Sequence, residues 1–146
     1  MLINLLLGLS TMIVCLLLQG VLVIMALRYY ARHLEQARTT IFGAMRVTSG
    51  LMLILIVGNI AQVAAWALLF CALGEFSDFD VALYHSGVNF ATLGYGDIVM
   101  SEQHRLLGPL QSINGVLMIG VSTAALSRAF QAVVRVALPG NTGGEA

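Results

Sequence analysis

The chain has 146 residues, 59% of them hydrophobic and 10% charged, with a mean hydropathy of +0.92. Soluble domains carry about 25% charged residues, so this composition excludes an ordinary soluble fold and points to membrane. Formal net charge is zero, yet the charges are segregated along the chain and every cation is arginine or histidine. No basic run interleaved with aromatics suggests a nucleic-acid partner, and no Gly-rich phosphate motif is present. The length leaves room for one domain with few residues outside the bilayer.

Residues 5–27 are apolar apart from Ser10, Thr11, Gln19 and a few glycines. As a helix they would reach about 35 Å, enough to cross a ~30 Å hydrocarbon core with tilt. No positive charge precedes this run, and it is longer than the ~7–15 residues of a signal-peptide core, so it reads as a retained helix. Residues 28–50 follow with Arg28, Arg32, Arg38 and Arg46 against one acid, Glu35. Residues 51–73 form the second expected span. Asn59 and Gln62 share one face of it, and polar groups at that depth turn toward protein rather than lipid. Cys15 and Cys71 both fall inside apolar runs with no histidine at ligand spacing, which reads as two core residues rather than a disulfide or metal pair.

From residue 75 to 105 the character changes: Glu75, Asp78, Asp80, Asp97 and Glu102 stand against Arg105 alone. Ser77 with Asp80 reads as a helix N-cap, opening a helix from Phe79 to Ala91 that is too short to span. Thr92-Leu93-Gly94-Tyr95-Gly96-Asp97 comes next. Glycines at alternate positions supply φ > 0 cheaply, as a strand turning successive carbonyls to one side requires. Four such strands around an axis would stack rings of carbonyl oxygens able to replace the water shell of a monovalent cation. Irregular backbone at membrane depth is tolerable only inside protein or beside a water-filled path, so the stretch reads as a re-entrant loop. Residues 106–134 form the third span, with Pro109 in its first turn, where a missing N–H is harmless. A Gly-rich tail, Pro139 to Ala146, reads as disordered. Arginines after the first and third spans place those regions in the cytoplasm, with the N-terminus and the acidic loop outside.

The stretch 92–97 resembles the potassium-channel filter signature Thr-X-Gly-Tyr-Gly-Asp at all five fixed positions. The likeness extends over roughly residues 50–130. It takes in Arg105, Gly115 and Gly120-Val121-Ser122-Thr123-Ala124-Ala125-Leu126, which resembles the inner helix of bacterial two-helix potassium channels. The resemblance implies an all-α membrane protein with three transmembrane helices, a re-entrant pore helix and filter loop, assembled as a fourfold tetramer of identical subunits in a lipid bilayer. It implies K⁺ as the permeant ion, held by Thr92, Leu93, Gly94, Tyr95 and Gly96, and Thr123 facing a water-filled cavity. Gly115 is either the inner-helix hinge or a small residue for close packing. Gly120 belongs with them to the gate and cavity set.

The support around the filter departs from the family. Ala91 replaces a second threonine, Val88 stands where a buried glutamate is found in some members, and Tyr84 and His85 replace paired tryptophans. Either of these two could still hydrogen-bond Tyr95 or Asp97. His85, His104 and Glu102 read as surface groups, or as sensors of external pH. Three regions are expected: 1–49, an extra transmembrane helix and basic cytoplasmic linker; 50–130, the pore module; and 131–146, a short cytoplasmic tail. Nothing reads as an enzyme, and the acids between residues 75 and 102 read as a cation-attracting mouth. The expected function is passive K⁺-selective conduction across the inner membrane of a bacterium-like cell. The alternatives are a weakly selective monovalent cation channel and a non-conducting adaptor retaining the pore fold.

Overall fold

The computed structural model describes residues 2–33, 35 and 40–137. Arg38 and the tail read as disordered lie outside the described residues. The helices are α1 (Leu2–Arg32), α2 (Ile41–Ala72), α3 (Phe79–Phe90) and α4 (Leu107–Ala137). Three of them, α1, α2 and the Leu107–Gln131 part of α4, are long and apolar enough to cross a membrane. The twelve residues of α3 reach only about 18 Å, too little for a span.

Each boundary has a local cause. The α1 end is closed by His33, whose Nδ1 donates to the Tyr29 carbonyl at 2.9 Å while its backbone N–H donates to the same carbonyl at 3.2 Å. α2 begins ten residues before the expected span. Thr40 caps it, accepting the Gly43 N–H on Oγ1 at 3.1 Å, and nothing from 41 to 50 breaks a helix once it is capped. Arg46, expected in a linker, therefore sits on α2. Gly74 ends α2 at φ +75°, with Glu75 N–H donating back to Phe70 O and Gly74 N–H to Cys71 O, a Schellman closure. α3 opens at Asp78 rather than Ser77. Asp78 has extended backbone and makes no side-chain cap bond, so Asp80 in the first turn contributes only through the helix dipole.

The chain packs as two compact units. One contains residues 1–20 and 57–120. Its core joins Cys15 of α1, Trp66 and Phe70 of α2 and Leu107 of α4, with Met12, Phe76 and Leu110 against them. In it Gln62, fully buried, donates from Nε2 to Gln19 Oε1 at 2.7 Å, so the polar face expected on the second span does turn inward. The other unit contains residues 21–56 and 121–146. Ala26, Leu51, Leu55, Ala125 and Ala129 form its core, and Gly50 gives room to the Tyr29 ring. Arg28, Arg32, Arg46 and Arg128 are exposed in this unit.

Candidate functional site

The site grows from the end of α3. Thr92 N–H donates to Asn89 O at 3.0 Å and Leu93 N–H to Val88 O at 2.9 Å. These are the paired bonds of a second Schellman closure, and they require the residue after the cap to be left-handed. Gly74 fills that position in α2; here it is Thr92, at φ +58°. A β-branched residue in this region is a true outlier costing about 1–3 kcal/mol, a cost tolerated where the side chain has a task. Gly94 at +58° and Gly96 at +75° repeat the left-handed turn at every second residue. All of Ala91, Thr92, Leu93, Gly94, Tyr95, Gly96 and Asp97 are exposed, Tyr95 to 65%.

Residues on α3 hold this strand from behind. Tyr84 Oη donates to Asp97 Oδ2 at 2.7 Å; the bond holds the Asp97 carboxyl below the usual carboxylate range and pushes the phenol up. His85 does not reach Tyr95 or Asp97. Asn89 Nδ2 faces its Nε2 at 2.9 Å, so Nε2 is the acceptor and Nδ1–H donates to the Ile98 carbonyl at 3.0 Å. That is the neutral imidazole. Burial between Phe70 and Phe76 holds the His85 pKa below its ordinary value, against the pull of the Ile98 carbonyl and of Asp97 and Glu75. Val88 is buried in α3. A groove of about 420 Å³ lies beside the strand, lined in part by His85, Asn89, Gly94, Gly96 and Arg105.

α3 is in turn locked to its neighbours. Ser86, fully buried, donates from Oγ to the Val63 carbonyl of α2 at 2.6 Å and accepts Gln111 Nε2 of α4 at 2.5 Å. Ser112 Oγ donates to Asn89 O at 2.8 Å. Gly115 lies directly against the main chain of Phe90, so closely that a Cβ would overlap the Phe90 carbonyl. A Cβ at Gly120 would meet nothing within 4 Å, and Thr123 is exposed. Of the residues singled out in the sequence, 84, 85, 88 and 91–97 thus form one continuous site, with Gly115 behind it.

Two expectations about the segment from Glu75 to Arg105 are corrected. Glu75 is not part of an open acidic mouth: its carboxylate accepts the Ser101 N–H at 2.7 Å, the Ser101 hydroxyl at 2.5 Å and His104 Nδ1 at 2.5 Å. His85 and His104 are buried rather than surface groups, and the partner of His104 is Glu75. Ser86, Asn89 and Glu75 are the supporting residues that sequence reasoning missed. Their partners lie 23–29 residues away on other elements, except for the His85–Asn89 pair, whose i, i+4 spacing was visible.

A short helix and an irregular, left-handed strand between two long apolar helices define a multi-pass, all-α membrane protein with a pore-helix element. Residues 50–132, more than half of the chain, match the family model described as "Ion channel". The chain belongs to that family of ion channels, which are not enzymes. No curated protein and no solved structure matches it.

Proposed function

We propose that the chain is one subunit of a fourfold, K⁺-selective channel, with Thr92, Leu93, Gly94, Tyr95 and Gly96 as its filter. The observation that carries this reading is the left-handed backbone at 92, 94 and 96 in an exposed strand. Alternation of handedness turns successive carbonyls toward one side, and four strands supply the rings of neutral oxygens that replace a K⁺ hydration shell. Exposed irregular backbone is not sustainable against lipid, which supports a closed ring of copies around it. The C-terminal end of α3 directs partial negative charge to the entrance of the strand.

In this reading 50–130 is the pore module, with Gly115, Gly120 and Thr123 on the gate and cavity side. Residues 1–49 add a helix and a basic linker, and 131–146 the tail, whose first residues continue α4. Arginines 28, 32, 46 and 128 favour a cytoplasmic side for their ends of the helices, leaving the N-terminus and Glu75–Arg105 outside. A weakly selective cation channel is the second reading, favoured by His85 bracing Ile98 rather than Tyr95. Reversal potentials of the reconstituted protein under opposed K⁺ and Na⁺ gradients separate the two. A potential near the K⁺ equilibrium value supports the selective filter; equal permeability overturns it.

A further inference from the structure

The buried residues of α1 are Asn4, Gly8, Cys15, Gln19 and Ala26. Steps of four and seven keep them on one helical face. The face is inverted relative to a soluble amphipathic helix: carboxamides and small side chains point to protein, while Leu6, Ile13, Leu17 and Val21 are exposed. In lipid, apolar burial does not drive helices together; close packing of small residues and polar pairs does.

Each residue of the outer half of this face has a partner. Asn4, 3% exposed, donates from Nδ2 to the carbonyl of Gln103, in the segment between the filter and α4. At Gly8 the helices approach so closely that a Cβ would stand 2.5 Å from Leu110 Cδ1. Cys15 packs against Trp66, Phe70 and Leu107. Gln19, about 22 Å along the helix from Asn4, bonds Gln62 and fixes both the rotation and the height of α1. The segment after the filter is therefore held at two neighbouring points: Glu75 takes Ser101 and His104, and Asn4 takes Gln103.

We infer that α1, which lies outside the region matched to the channel family, is a working part of the conduction module. Asn4 is a positioning residue: through Gln103 it holds segment 98–106, and with it the outer end of the filter, in the conducting shape. Gln19–Gln62 sets the register that lets Asn4 reach. The inference rests on the K⁺-channel reading for its functional half and on geometry alone for its structural half.

The test uses the full chain in nanodiscs and liposomes, with amide hydrogen exchange of 98–106 and the time course of K⁺ flux. Asn4→Asp keeps the shape and removes the donor; Asn4→Gln keeps the donor; Leu17→Ala alters only the exposed face. Loss of one such bond raises exchange in 98–106 about fivefold. Asn4→Asp and Gln19→Leu are expected to show that rise together with a severalfold faster decay of flux. Asn4→Gln is expected to restore both toward wild type, and Leu17→Ala to change neither. Unchanged exchange in Asn4→Asp overturns the clamp whatever the flux does. Raised exchange with unchanged flux decay overturns its functional role. A wild-type protein without K⁺ flux overturns the channel reading and the functional half with it, and exchange alone then decides whether α1 holds the segment.

Discussion

Replacing Gly115 by alanine drives a methyl group into the backbone of α3. The new Cβ overlaps the Phe90 carbonyl oxygen and stands 2.8 Å from its carbon and 3.0 Å from Phe90 Cα, where 3.4 Å begins ordinary contact. These are main-chain atoms two residues ahead of Thr92, so no side-chain rotation relieves the clash. α4 must withdraw from α3 by about an ångström or more, an overpacking cost toward the upper end of about 1–3 kcal/mol. Better helix propensity returns up to ~1 kcal/mol, leaving a net loss of about 2 kcal/mol. Gly120→Ala is the control: with nothing within 4 Å, it is neutral or stabilising by up to ~1 kcal/mol within the chain. Thermal denaturation of both purified variants in detergent reads the difference. Gly115→Ala is expected to melt several degrees below wild type and Gly120→Ala at or above it. A Gly115→Ala protein that melts like wild type refutes the packing argument, and altered gating at unchanged stability would assign Gly115 to the hinge instead.

Other expectations follow from single contacts. Ser86→Ala removes the donor to Val63 and one acceptor of Gln111, costing about 1–2 kcal/mol in thermal stability; an unchanged melting point contradicts the three-helix node. Burial pushes the Glu75 carboxyl up, but the Ser101 hydroxyl, the Ser101 N–H and His104 outweigh it and hold the group below its ordinary value. Because the folded pKa is the lower one, the stabilisation is present above the unfolded value of about 4.3 and lost as pH falls through the folded value. Melting curves between pH 7 and pH 3 should therefore drop more steeply for wild type than for Glu75→Gln, and parallel curves contradict the linkage. Tyr84→Phe frees the Asp97 carboxylate of its phenol donor, so the Asp97 carboxyl titration, followed by difference infrared spectroscopy, moves to higher pH; no movement means the bond does not hold in the membrane.

Much of the architecture was legible because long apolar runs and a short interrupted one are one-dimensional signals. The three spans and the short α3 follow from length alone, and Gly94 and Gly96 announce their left-handed backbone. Thr92 does not, since its conformation comes from the Schellman closure of α3, and nothing in a threonine codes for it. The start of α2 was misplaced because Arg46 looked like linker, whereas the Thr40 cap decides where the helix begins. Charge counting also misassigned Glu75, whose meaning lies in Ser101 and His104, residues that no periodicity connects to it.

The central claim is that the strand Thr92–Gly96 conducts K⁺. Its most direct test is K⁺ flux into liposomes holding the purified wild-type protein or Gly96→Ala. Gly96 sits at φ +75° with open space at its Cβ position, so alanine strains the strand without colliding with any neighbour in the chain. Robust K⁺ flux in wild type with a loss of at least tenfold in Gly96→Ala is the expected result. Wild-type liposomes without K⁺-dependent flux, or a variant that conducts as well as wild type, would contradict the account.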